Sequence, residues 1–337
     1  MLSFGAAALS AFVLGAGLVQ ADGPVHTPRV LVFTGTTGFR HDSIPTAIEV
    51  LGQNADRFGI SFNFTEDKGA FNDNYLKNFD GLLFVSASGE DVLDQDGQDA
   101  FHRYVQSGGH YMGVHCAATA LTNSTMFRQT QGGIFNYHPS FQNATFLKLD
   151  DNHPSTVNLP KEWRYPEEVY FFANNPRNEK AIVYLTVNES SFNNDGGDGG
   201  PNQGSPHPIA WGIESPYSAV PLLAGAPGAG RTFYTGLGHA NETWHDEVFI
   251  GHIFGGLAWT LDGATTKAYG VGIVGSDLPL KPKPVPVAAP DVNVTNGPAA
   301  PSVSNAQPSG SGASLSAPLA SALVLGAALI GAIACAL

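Results

Sequence analysis

The chain has 337 residues, 43% of them hydrophobic, enough to bury one large core or two small ones. Its 16 basic and 29 acidic side chains leave a formal net charge of -13, and no Lys- or Arg-rich run offers a footprint for phosphate backbones, so nucleic acid is excluded as an expected partner. Cys116 and Cys335 can form one bridge at most, and the fold cannot rest on a disulfide framework.

At the N-terminus, Leu2 to Leu18 is an apolar and small-residue stretch that ends in Val19-Gln20-Ala21. This reads as a secretory signal peptide over residues 1–21. Next, Arg29-Val30-Leu31-Val32-Phe33 is a short β-branched run closed by the turn-rich Thr34-Gly35-Thr36-Thr37-Gly38, the pattern of a strand buried on both faces. Asp42 or Ser43 can cap a helix with Pro45 in its first turn, and Ile44, Ala47, Ile48, Leu51 and Ala55 fall at helical spacing. The theme repeats with a strand at Ser61 to Phe64, a short helix around Tyr75, and a strand at Gly81 to Val85. A helix from Asp94 to Val105 stops at Gly108-Gly109, and a fourth strand follows at His110 to Val114. Such alternation predicts an α/β fold, an open and mostly parallel sheet of flavodoxin-like type with helices on both faces.

Past Leu121 the segments become strand-like: Ala144 to Leu149, Val169 to Phe172, Ala181 to Val187, Ile209 to Ile213 and Arg231 to Thr235. A terminal helix runs from about His245 to Leu261. These predict an antiparallel β region added to, or inserted into, the sheet. Asp195 and Asp198 lie in a Gly-rich loop that lacks the spacing and final Glu of an EF-hand. The globular part therefore spans residues 29–263. Residues 264–310 are rich in Pro, Ala, Val and Ser and read as an extended stalk. Residues 311–337, small residues followed by the uncharged run Leu319 to Leu337, read as a GPI-attachment signal. Sequons at Asn63, Asn123, Asn143, Asn188, Asn241 and Asn293 complete the expectation of a secreted, cell-surface glycoprotein held to the membrane or wall by a lipid anchor.

In an open parallel sheet, ligands bind beyond the carboxyl ends of the strands. Residues just after strands there are Arg40, His41 and Asp42, then His115 and Cys116, then Tyr137 and His138, and finally His239. The motifs Gly38-Phe39-Arg40-His41-Asp42-Ser43-Ile44, Gly108 to Ala117, Gly132-Gly133 with His138-Pro139, His153-Pro154, Glu167-Glu168-Val169-Tyr170, Pro208 to Trp211, and Gly230 to Tyr234 with Gly238-His239 stand in one order along the globular part. In these blocks the chain resembles the ThuA-like (trehalose utilisation) family, of the class I glutamine amidotransferase-like fold. The resemblance implies that fold. It also implies a link to trehalose or keto-sugar metabolism, with no single reaction attached.

A glutaminase needs Gly-x-Cys-x-Gly at a strand-to-helix elbow. Here Gly113-Val114-His115-Cys116-Ala117 puts His115 where the thiolate belongs, and Gly238-His239-Ala240-Asn241-Glu242 lacks the late His-x-Glu spacing. The expected chemistry is instead acid/base work on a carbohydrate by His41, His115, His138 and His239 converging near Glu168, in a hydrolase, lyase or isomerase. Arg40 and Asp42 are expected to bind sugar hydroxyls, and Tyr137, Trp163 or Trp244 to stack on a sugar face. No cofactor is assigned; a divalent metal such as zinc is the alternative chemistry, since three His plus a carboxylate suit it. The competing class is a non-catalytic carbohydrate-binding or wall-associated module.

Overall fold

The computed structural model describes residues 27–197 and 202–262, together with the backbone of 266–268 and 272–274. The signal peptide, most of the stalk, the anchor signal and Asn293 lie outside the described residues. Four apolar runs form β1 (Arg29–Phe33), β2 (Ser61–Thr65), β3 (Gly81–Val85) and β4 (His110–Val114). Between them come α1 (Ile44–Phe58), α2 (Asp73–Leu76) and α3 (Gln95–Gln106). α4 (Thr125–Gln131) leads into β5 (Phe135–Tyr137), β6 (Gln142–Lys148), β7 (Glu162–Glu167), β8 (Phe171–Phe172), β9 (Ile182–Val187), β10 (Pro208–Ile213) and β11 (Thr232–Thr235), and α5 (Glu247–Thr260) closes the domain.

One nine-stranded sheet has the order β2-β1-β3-β4-β11-β10-β9-β6-β7. From β2 to β11 every pairing is parallel; from β11 to β7 every pairing is antiparallel. The expected antiparallel region is thus a continuation of the same sheet, inserted in the chain between β4 and β11. A separate small sheet pairs β5 with β8.

Alternation along the strands builds two cores. Val30 and Val32, Leu83 and Val85, Met112 and Val114 face α1 and α5, whereas Leu31 and Phe33, Leu82 and Phe84, and Tyr111 face α3 and α4. Helices therefore cover both faces, as parallel strands buried on both sides require. The helix ends follow local chemistry. Gly59 closes α1 in the left-handed conformation (φ 62°), and Asp94 caps α3 by accepting from the Gly97 N–H at 2.9 Å. Asp246 caps α5 through Val248 and Phe249.

β7 and α4 escaped the sequence reading. β7 alternates exposed and buried residues but carries Pro166, which argues against a strand except at an edge, and β7 is the edge of the sheet. At the start of the span read as stalk, β12 (Thr266–Ala268) and β13 (Gly272–Val274) pair antiparallel. α5 is buried along nearly its whole length, yet its 14 residues span only about 21 Å. Among the described residues no helix is long and apolar enough to cross a membrane.

Two glycines of α5 separate packing from propensity. A Cβ at Gly255 would stand 2.0 Å from the Pro154 carbonyl oxygen, whereas one at Gly251 meets nothing within 4 Å. Gly255→Ala is expected to destabilise the fold by roughly 1–3 kcal/mol through overpacking. Gly251→Ala is expected to stabilise it by about 0.5–1 kcal/mol. Urea midpoints of the two variants check this pair; shifts of the same sign would mean that α5 does not seat on the Pro154 loop.

Candidate functional site

The loops that leave the carboxyl ends of β1, β4 and β11 meet the loops after β5 and β7. His41 lies on the loop joining β1 to α1, three residues before the helix begins, while β4 runs directly into a 3-10 turn over His115–Thr119. His115 stands at that elbow with φ 53°, a left-handed value uncommon for a residue with a side chain, and is fully buried. The amidotransferase-type elbow is kept, with an imidazole at its apex. Cys116 is turned into the protein, its Sγ 3.2 Å from the Thr119 hydroxyl.

The four histidines expected to converge do so around Glu168. Its Oε2 lies 3.1 Å from His239 Nδ1 and 3.5 Å from His115 Nε2, and its Oε1 lies 3.6 Å from His138 Nε2. His41 joins through His115, with the two Nε2 atoms 3.1 Å apart. The outer nitrogens of two rings are fixed by backbone: His115 Nδ1 donates to the Gly236 carbonyl at 2.8 Å, and His138 Nδ1 donates to the Pro139 carbonyl at 2.8 Å. Each ring therefore turns its Nε2 inward. Tyr170, whose ring stacks on His115, brings its hydroxyl to 3.0 Å from His115 Nε2.

Burial and charge divide these groups. Burial holds the His41 imidazole down to about 2, with the positive tendencies of His115 and His239 adding to the effect, so it is neutral. Burial also opposes charge on Glu168, but the His115 and His239 imidazoles close against it outweigh that and hold the carboxyl well below the usual carboxylate range. For His115 burial again opposes charge, and the Glu168 and Glu167 carboxylates more than offset it, leaving the imidazole raised.

Glu167 and Glu168 are adjacent at the end of β7. Their side chains separate the roles. Glu167 accepts from the backbone N–H groups of Glu168 at 3.0 Å, Gly238 at 2.7 Å and His239 at 3.3 Å, and so staples the β11 loop to the end of β7. Glu168 is the carboxylate that faces the imidazoles.

A cleft of about 440 Å³ opens over this cluster, and its lining includes His41, Asp42, Glu168 and His239. The expected sugar-binding residues divide. Asp42 lies on the wall, but Arg40 reaches away to Glu66 at 2.7 Å. Tyr137 stacks on Phe171 with its hydroxyl accepting from Asn194, outside the cleft lining. Trp244 is fully buried with its indole N–H donating to the Gly238 carbonyl, and Trp163 packs against Phe146 and Tyr165, so neither indole can stack on a ligand. The aromatic walls are instead Phe39 and Phe141, 39% and 41% exposed, which lie against the His41 and His239 rings. Phe39 and Tyr170 sit inside motifs that were legible in the sequence, beside His41 and Glu168. Phe141 has no such signal.

A sequence profile described as ThuA, trehalose utilisation, matches residues 29–260. The chain belongs to the ThuA family. Among solved structures, this ThuA family member is similar to a ThuA-like protein from Bacteroides uniformis, with a TM-score of 0.56 and 20% identity over 74% of this chain and 97% of that one. A ThuA-like protein from Parabacteroides merdae gives 0.49 and 16% identity over 75% and 97% of the two chains. No curated protein matches. At these identities the likeness to the first structure establishes the fold that the resemblance implied.

Proposed function

We propose that this ThuA family member takes a sugar or keto-sugar into the cleft and moves protons on it with the imidazoles and carboxylate at the cleft floor. One observation carries the reading: a single buried carboxylate, Glu168, lies within 3.1–3.6 Å of three imidazoles and is open to a cleft with aromatic walls. An imidazole whose proton is positioned by a carboxylate can take a proton from a carbon or hydroxyl beside a sugar carbonyl and return it elsewhere, the step common to elimination and isomerisation. Phe39 and Phe141 suit the apolar face of a pyranose, and Asp42 its hydroxyls. The family's description, trehalose utilisation, supports the same substrate class.

The expected setting is the cell surface, reached by a signal peptide and kept by a GPI anchor. Exposure of the sequons at Asn63, Asn123, Asn143 and Asn188 supports glycosylation there, while Asn241 is half-buried on the cleft wall.

The test is a screen of the purified protein against oxidised and unoxidised disaccharides, with His115→Ala beside the wild type. Turnover by the wild type that the variant lacks supports the reading. Saturable sugar binding without turnover by either protein replaces it with the carbohydrate-binding module, and equal rates in both overturn proton transfer at the cluster. Phe39→Ala and Phe141→Ala are each expected to raise KM roughly tenfold with kcat less affected, since each removes about 1.4 kcal/mol of apolar contact. Unchanged KM values would remove these rings from the binding site.

A further inference from the structure

The donor atoms of His41, His115, Glu168 and His239 form a compact group: one ring nitrogen from each histidine and an oxygen of Glu168 all lie within 4.8 Å of one another. Three of the edges are 3.1, 3.5 and 3.1 Å. Around a zinc ion with ligands at 2.0–2.1 Å, tetrahedral neighbours stand about 3.3 Å apart. The group therefore needs only a small inward movement to enclose such an ion.

Two further features point the same way. The first is a set of buried polar atoms that no hydrogen bond satisfies. Glu168 Oε2 and His239 Nδ1 face each other without hydrogen-bond geometry, and both are cut off from solvent. Such atoms cost free energy unless something sits between them. The second is the orientation of His115. Its Nδ1–H donates to the Gly236 carbonyl, the outer contact that fixes the tautomer and aims the opposite nitrogen in metal-bound imidazoles. That inner Nε2 lies 3.1 Å from the Nε2 of His41, where an N–H···N hydrogen bond links the rings, and the separation is also close to that of two nitrogens bound to one cation.

The geometry points to a divalent transition-metal site of zinc type, with His41, His115 and His239 as nitrogen ligands and Glu168 as the oxygen ligand. Imidazole with one carboxylate selects zinc and its neighbours over magnesium and calcium, which prefer all-oxygen shells. The cation would lie at the cleft floor, because His41, Glu168 and His239 line the cleft, while His115 closes it from behind. The inference rests on the reading of this cluster as the working site. His138, outside the donor group, keeps its Nε2 available for moving a proton.

The experiment begins with the purified chain dialysed against a chelator. Titration with Zn2+ by calorimetry is expected to give one ion per chain, and Co2+ to give visible d–d absorption bands; Mg2+ and Ca2+ are expected to give neither heat nor bands. His239→Ala, at the partly exposed edge of the group, and Glu168→Gln are each expected to weaken Zn2+ binding more than about tenfold. Circular dichroism checks that both variants keep the fold. Substoichiometric uptake by the wild type, or unchanged affinity in both variants, overturns the site. Sugar turnover that survives complete chelation also overturns a working cation and leaves proton transfer standing. One bound Zn2+ with no turnover of any sugar supports the site while removing the reading on which it rests.

Discussion

Glu168→Gln is expected to lower kcat/KM on a verified sugar or keto-sugar substrate by roughly 10²–10⁴-fold, the range lost when a positioned acid/base partner is removed. The amide is nearly isosteric with the carboxylate, so packing at the end of β7 is kept. What changes is the charge that His115, His138 and His239 face at 3.1–3.6 Å. Glu167→Gln is a different perturbation on the next residue. Its oxygens accept from three backbone N–H groups, and a Gln keeps one acceptor oxygen for them. Its expected effect is a loss of folding stability and of loop order, with a smaller fall in rate for the folded fraction. Steady-state kinetics and urea unfolding on both variants separate the two glutamates. Wild-type turnover in Glu168→Gln sinks the assignment.

Acid should weaken the fold well before the carboxylates titrate. His110 and His252 lie in the packed interior, outside the cleft lining, and burial pulls each imidazole from 6.5 to about 4, with the Arg231 cation also acting against charge on His110. Both rings are satisfied as neutral groups. His110 Nδ1 accepts from the Arg231 backbone N–H at 3.0 Å; His252 donates to the Ser155 carbonyl at 2.8 Å and meets the Thr235 hydroxyl at 3.0 Å. Because the unfolded chain binds protons at these residues more readily than the folded one, the stability they contribute is full above pH 6.5. It falls as pH drops and is lost by about pH 4. At pH 5 the loss is on the order of 2 kcal/mol per ring. Urea unfolding at pH 7 and pH 5 measures it. His252→Gln starts from a less stable fold but should show a pH-dependent loss smaller by on the order of 2 kcal/mol; an unaltered loss would mean that His252 is not among the groups responsible.

Much of the architecture was legible because strands buried on both faces write themselves as unbroken apolar runs, and β1, β3 and β4 are such runs. The convergence of His41, His115 and His239 was legible for a topological reason, since each follows a strand at the same end of the main sheet; His138 joins them from the end of β5 in the small sheet. Side-chain direction was not. Trp244 is as suitable a sugar platform by composition as Phe141, but it packs beneath the Gly238 loop while Phe141 stays on the surface. Arg40 follows the same rule: a loop residue beside His41, it is drawn off by Glu66, an acid 26 positions away that only the folded chain brings near. Periodicity reports which element a residue belongs to, and long-range packing decides where its end group goes.

The position of β11 has a consequence for how the molecule is made. It slots between β4 and β10, although the whole antiparallel region separates it from β4 in the chain. A nascent chain that has emerged only as far as β10 holds two half-sheets, each with an unpaired backbone edge where β11 will go, and such edges recruit other chains. Synthesis halted anywhere before Arg231 therefore yields an aggregation-prone fragment with no cleft, because the last histidine of the cluster arrives on the loop that follows the strand joining the halves.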